Sequence, residues 1–150
     1  MSAPELLPLL NALTSLCFDG EAAFAYGVQR ASSTGLRQLF LRRAQDCRAA
    51  AHSLQRLVLQ QGALPQHGGS AAGDICLSFV AVRCALCIDA DRVLLDACEQ
   101  GDALALRWYR AVLMLPLPTT VRVLVAAQHD AIENDRLSLM VMRERLGSWA

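Results

Sequence analysis

The chain has 150 residues, of which 54% are apolar and 19% are charged, and its formal net charge is zero. A chain of this length usually forms one domain, so we expect residues 1–150 to fold as a single unit. A zero net charge gives no electrostatic basis for binding nucleic acid or an anionic membrane. All 14 basic residues are arginine, which excludes reactions that need a lysine amine, such as Schiff-base formation.

The sequence contains no pattern typical of a targeting or membrane-spanning segment. Residues 1–20 lack Arg and Lys, unlike a secretory signal peptide. The longest apolar run, residues 75–88, is interrupted by Arg83 and is too short to cross a bilayer. We therefore expect a cytoplasmic protein in which the six cysteines stay reduced and act mostly as small core residues.

Apolar residues at spacings of three and four predict two long helices in the first part of the chain. The first starts at a capping box, Ser2 to Glu5, and runs to about residue 31. Its apolar face consists of Leu6, Leu10, Leu13, Cys17, Gly20, Phe24, Gly27 and Ala31. The second helix follows the break at residues 32–35 and ends before Gly62. Its face consists of Leu36, Phe40, Ala44, Cys47, Ala51, Leu54 and Val58.

Residues 75–88 form a shorter apolar segment before the next long helix. Its Ile, Val and Phe residues suit a strand, but no second strand is predicted nearby, so we assign an extra helical segment. Apolar side chains surround nearly the whole helix, at Ile75, Leu77, Phe79, Val80, Val82, Leu86 and Ile88. A bundle covers only one side of such a helix, and monomers seldom expose a large apolar patch. We therefore expect a homodimer in which both copies use residues 75–88.

Two further long helices are predicted after Asp89, separated by a turn at residues 116–118. The face of the first consists of Leu94, Cys98, Gly101, Ala105, Trp108 and Val112. The face of the second consists of Val121, Leu124, Gln128, Ile132, Asp135, Leu139, Met142 and Leu146. Because Gln128 and Asp135 are polar, each needs a polar partner if it lies inside the protein.

The two halves of the chain carry similar patterns. Residues 17–22 read Cys-Phe-Asp-Gly-Glu-Ala, and residues 98–103 read Cys-Glu-Gln-Gly-Asp-Ala, which places Glu21 opposite Asp102 in the alignment of the halves. Further pairs at a second constant spacing are Gln45 with Gln128 and His52 with Asp135. A duplicated helical hairpin explains this pattern, although amphipathic helices also converge on it. In a duplicated bundle, Glu21 and Asp102 would both point toward the axis.

Two groups of residues carry a resemblance to a known family. The first is Cys17-x-Asp19-Gly20-Glu21-Ala22-x-Phe24, followed by Leu36-Arg37-x-Leu39-Phe40-Leu41. The second is Cys98-Glu99-x-Gly101-Asp102 with Trp108-Tyr109-Arg110. Together they resemble an uncharacterised bacterial family of ferritin-like bundles, and the resemblance covers nearly the whole chain. It implies an all-α, antiparallel four-helix bundle of rubrerythrin or bacterioferritin type, with the extra helical segment before its third helix.

In di-iron members of that superfamily, two helices each supply a Glu and the other two each supply Glu-x-x-His. Glu21 and Asp102 match the first two positions. The other two read Gln45-x-x-Arg48 and Gln128-x-x-Ala131, and Glu-x-x-His occurs nowhere in the sequence. Amides are poor metal ligands, and an arginine repels a cation. The resemblance therefore implies a degenerate, metal-free member without a cofactor, which acts in partner binding or assembly, and the sequence does not decide whether it is an enzyme.

Other interpretations stay open at this point. Glu21 and Asp102 are expected to be interior, with Gln45 and Gln128 as candidate hydrogen-bond partners, but both carboxylates can also be exposed. The alternative function is a metal-binding protein or a di-metal oxidase or peroxidase with iron or manganese in a non-standard site. The candidate ligands for such a site are Glu21, Asp102, His52, His129 and Glu133.

Two short motifs have an ordinary structural explanation as well as a chemical one. His129-x-x-x-Glu133 puts two possible ligands one helical turn apart, which is also a common surface pair. Cys84-x-x-Cys87 lies late in an apolar helix, whereas redox motifs of this type place the first Cys at a helix N-terminus. We expect Cys84 and Cys87 to pack in the core, and the sequence does not decide whether they have a redox role.

Overall fold

The computed structural model describes residues 1–147, which fold into five helices without a strand in that range. The helices are α1 (Ala3–Arg30), α2 (Thr34–Gln60), α3 (Ala71–Leu86), α4 (Ala90–Leu113) and α5 (Thr119–Gly147). The predicted all-α class is confirmed. None of the helices in residues 1–147 is long and apolar enough to cross a membrane.

The helix starts follow local capping chemistry. The side chains of Ser33, Ser70 and Asp89 each accept a hydrogen bond from a backbone N–H in the first turn of α2, α3 and α4. The extra helical segment is present, but it begins at residue 71 because Ser70 caps it there. It ends at Leu86, so Cys87 and Ile88 lie outside the helix.

Two apolar clusters form the core. The first joins the N-terminal half of α1 and the C-terminal half of α2 to the end of α4 and the start of α5, and it includes Leu10, Leu13, Leu54, Val58, Val112 and Val125. The second joins the opposite halves of these helices and a residue of α3, and it includes Phe24, Leu36, Phe40, Cys84, Leu95 and Leu139. Burial of these side chains supplies the main driving force for folding.

The predicted apolar faces of α1 and α2 match the buried residues, but the predicted face of α4 is wrong in its second half. Gly101 is exposed and Trp108 is 47% exposed, whereas Asp102 and Tyr109 are buried at 4% and 1% exposure. The buried face is therefore displaced by one residue between Gly101 and Trp108, whereas Val112 is buried as predicted and Asp102 is interior as expected. This displacement brings the Asp102 carboxylate and the Tyr109 hydroxyl into contact with polar partners on other helices.

Two carboxylates fix the connecting loops. Asp19 on α1 accepts hydrogen bonds from the backbone N–H and the hydroxyl of Ser70, at 2.8 Å and 2.6 Å. Asp91 on α4 is buried and accepts from the backbone N–H groups of Ser32 and Ser33, at 2.7 Å and 3.1 Å. The first contact holds the start of α3 against α1, and the second holds the α1–α2 turn against α4.

Candidate functional site

A buried arginine lies at the boundary between the two apolar clusters. Arg43 on α2 is 3% exposed. Its two terminal nitrogens donate to the two carboxylate oxygens of Asp102 on α4, at 3.2 Å and 2.7 Å. Its Nε lies 3.2 Å from a carboxylate oxygen of Asp135 on α5. We call Arg43, Asp102 and Asp135 the central polar layer.

The layer also involves α1 and the protein surface. The guanidinium carbon of Arg43 lies 4.5 Å from the centre of the Phe24 ring on α1, a cation–π distance. Asp135 also accepts a hydrogen bond from Arg42, which is half exposed. One guanidinium therefore contacts side chains of the three other long helices, and a planar arginine suits this use because its donors are fixed in a fork.

Burial and charge act in opposite directions on this layer. Burial raises the pKa of Asp102, and the hydrogen bonds and charge of Arg43 offset only part of that effect. Burial on its own would lower the pKa of Arg43, but Asp102 and Asp135 raise it above its ordinary value, so the guanidinium stays charged.

A second polar network lies beside this layer. The Tyr109 hydroxyl donates to Oε1 of Gln128 at 2.7 Å, and Sγ of Cys17 lies 3.3 Å from the same hydroxyl oxygen. Nε2 of Gln128 donates to the backbone carbonyl of Ala50 at 3.2 Å. The network joins α1, α4, α5 and α2, and it satisfies the polar groups that α5 places on its inner face.

The cysteines near these networks are poor nucleophiles. Burial raises the pKa of Cys17 to about 11 and those of Cys47 and Cys98 to about 12. These thiols are therefore protonated at neutral pH, and the thiolate is the reactive form. On α3, Cys84 is buried as expected and Cys76 is exposed. Cys87, just after the helix, is exposed and not in the core as expected, and all six cysteines are free.

A groove of about 410 Å³ opens between α2 and α5, and residues of both networks line it. Its walls are mostly small and aliphatic, formed by Ala49, Ala50, Ser53, Leu124, Ala127, Ala131 and Ile132. Cys17, Cys47, Tyr109 and Gln128 also line it, and Arg43, Asp46 and Asp135 lie at one end. We call it the α2–α5 groove.

The sequence profile of a family described as a domain of unknown function, DUF2383, matches residues 6–115. The chain is a member of the DUF2383 family. No curated protein gives a significant match. In this DUF2383 protein the matched residues include Arg43 and Asp102, whereas Gln128 and Asp135 lie beyond the match, on α5.

The five predicted ligand candidates are spread over the DUF2383 protein. Asp102 binds Arg43, and Glu133 forms an ion pair with Arg110. His52 is exposed, and Nδ1 of His129 contacts Asp130 at 3.1 Å. Oε2 of Glu21 and Nε2 of His129 are buried without a hydrogen-bond partner. Within residues 1–147, no three His, Cys, Asp or Glu side chains form a group that could hold a metal ion.

The suggested amide partners of the two carboxylates are wrong. Gln45 is exposed, and Gln128 binds Tyr109 and the backbone of Ala50 instead of Asp102. The residue that the sequence analysis missed is Arg43. The spacing along α2 could have predicted that Arg43 is buried, because it lies three residues after Phe40 and four before Cys47, on the predicted buried face.

Proposed function

We propose that this DUF2383 protein is a ferritin-like bundle in which an internal arginine replaces metal ions, and that it acts through self-association. α1, α2, α4 and α5 would form the antiparallel four-helix bundle, and α3 would be the added segment. The composition of the core supports this arrangement, because each cluster joins the N-terminal half of one helix to the C-terminal half of the next in the chain.

The central polar layer is the observation that carries the metal-free part of the proposal. A di-metal centre needs several carboxylates and imidazoles free to bind cations. Here both oxygens of Asp102 accept hydrogen bonds from Arg43, and Gln45 points to solvent. A fixed guanidinium at this point repels a divalent cation, so the residues present do not fit an iron or manganese pair.

Metal analysis of the purified protein tests this part. After expression in medium rich in iron and manganese, we expect elemental mass spectrometry to find far less than one metal ion per chain. Stoichiometric metal would contradict the proposal. Loss of that metal in Asp102→Ala or Glu21→Ala would then place it near the bundle axis, whereas retention in both would point to His129 and Glu133.

Self-association is supported by the outward side of α3. Ile75, Phe79, Val82 and Leu86 lie on one face of this helix and are between 56% and 80% exposed. We call them the α3 outer face. Four large apolar side chains in a row are costly to leave in water, and monomers seldom keep such a patch bare. A homo-oligomer that buries residues 75–88 removes this cost.

Light scattering in solution tests the assembly. We expect the natural protein to have a mass above that of one chain. Phe79→Glu should have the mass of one chain, because a charge in an apolar contact is expensive to bury. Leu137→Glu is the matched control, since Leu137 is similarly exposed at 61% but lies on α5. A monomeric natural protein, or equal effects of the two substitutions, would contradict the proposal.

A further inference from the structure

Two sides of the protein differ in how their helix pairs are covered. α3 packs against both α1 and α4. α2 and α5 contact each other sparsely and have the α2–α5 groove between them. The protein therefore carries an exposed apolar helix face on the α1–α4 side and an open, mostly apolar groove between α2 and α5.

The α3 outer face and the α2–α5 groove match in length and in side-chain size. The face extends over twelve residues from Ile75 to Leu86, and the eleven steps between them give about 16 Å at 1.5 Å per residue. The α5 wall of the groove extends over the same number of residues, from Leu124 to Asp135. The face carries Ile, Phe, Val and Leu, whereas the walls carry mostly alanine, so large side chains would enter space that small ones leave.

The charges at the two ends also match. Asp74 and Arg83 lie near opposite ends of α3 and on opposite flanks of its outer face. Asp46 lies at one end of the groove, beside Asp135, which Arg42 and Arg43 already bind, and the exposed Arg56 lies one turn beyond Ser53 at the other end. When a second α3 runs parallel to α5, Arg83, whose own contact with Asp96 is long at 3.9 Å, lies at the Asp46 end of the groove, and Asp74 lies at the Arg56 end.

We propose that the α2–α5 groove of one copy binds the α3 outer face of a second copy. This inference rests on the self-association proposed above and names the surface that receives α3. The contact joins two different surfaces, so each added copy leaves one free face and one free groove. The assembly therefore grows head to tail, unlike the two-fold dimer expected from the sequence.

A substitution that fills the α2–α5 groove distinguishes head-to-tail assembly from a two-fold dimer of α3 outer faces. Ala127 is exposed and lines the groove, so Ala127→Trp blocks it without changing the buried core. Ala111→Trp is the matched control, because Ala111 is an exposed alanine on α4 away from the groove. With circular dichroism confirming helix content, we expect light scattering to give a concentration-dependent mass for the natural protein and Ala111→Trp, and one chain for Ala127→Trp.

Mixing two blocked variants is the decisive measurement. Phe79→Glu keeps its groove and Ala127→Trp keeps its α3 face, so together they should form a pair of two chains and no larger species. A pair of α3 faces predicts instead that Ala127→Trp associates on its own and ignores Phe79→Glu. That result would overturn the groove contact and leave the self-association intact, whereas a monomeric natural protein would overturn both.

A charge exchange checks the orientation without touching the apolar contact. Arg56→Glu should weaken association about tenfold, and Asp74→Arg in the same chain should restore most of the loss, because oppositely charged partners are again paired. Failure of the second substitution to restore association, with the first one weakening it, would contradict the parallel placement of α3 beside α5.

Discussion

Arg43 places a permanent positive charge between two carboxylates at the boundary of the two apolar clusters. Asp102, one of these carboxylates, is itself buried at 4% exposure. Taking both groups out of water is costly, and the paired hydrogen bonds offset this cost only while both partners are present. At the scale of single residues, the layer therefore ties the register of α2 to that of α4 and α5 more than it adds stability.

Removing one partner should be worse than removing both. We expect Arg43→Met to lower the free energy of unfolding by about 3–5 kcal/mol, because it leaves the Asp102 carboxylate buried without a counter-charge. Arg43→Met combined with Asp102→Leu should recover much of that loss. Chemical denaturation measures both. Arg42→Met is the control, since Arg42 is half exposed and its ion pair should contribute no more than about 1 kcal/mol. A double variant less stable than Arg43→Met would contradict the argument.

The most extensive helix contact, between α1 and α2, depends on small residues of α1. A Cβ added to Gly27 would lie 2.6 Å from a carbon of the Phe40 ring, and one added to Gly20 would lie 2.9 Å from Sγ of Cys47. Both values are below ordinary contact distances, so the two helices approach each other at positions where α1 has no side chain. At the scale of elements, the glycines of the predicted α1 face are packing residues.

Two glycine substitutions should have opposite effects. Gly27→Ala must displace the fully buried Phe40 ring, and we expect it to destabilise the protein by about 1–3 kcal/mol. Gly101→Ala meets no atom within 4 Å on an exposed helix face, so it should stabilise the protein by about 0.5–1 kcal/mol through helix propensity. Thermal or chemical unfolding distinguishes them. Equal effects would mean that α2 moves away from α1 at little cost.

The sequence predicted the helices better than their contacts. Apolar spacing located the buried faces of α1 and α2 because each is regular along its length. It failed on α4, where the choice between Trp108 and Tyr109 depends on partners for the tyrosine hydroxyl that lie on α1 and α5. It missed Arg43 for the same reason, since Asp102 lies on another helix far along the chain. Local pattern carries no information on such pairs.

At the scale of the whole molecule, α5 completes the core although the family match ends before it. The match covers residues 6–115, yet α5 contributes Val121, Val125 and Leu139 to the two clusters. It also supplies Asp135 to Arg43 and Gln128 to Tyr109. Without α5, large apolar surfaces of α1, α2 and α4 would face water, and two buried polar groups would lose partners.

A chain ending at residue 118 should therefore fail to form a stable core. It contains the whole matched segment, and we expect it to keep helical circular dichroism but to unfold without a cooperative transition and to bind a dye for exposed apolar surface. The control is a chain ending at Gly147, which should unfold cooperatively like the 150-residue chain. Cooperative unfolding of the shorter chain would show that α1 to α4 form a core on their own. The contacts of α5 with Arg43 and Tyr109 would then not be required for folding.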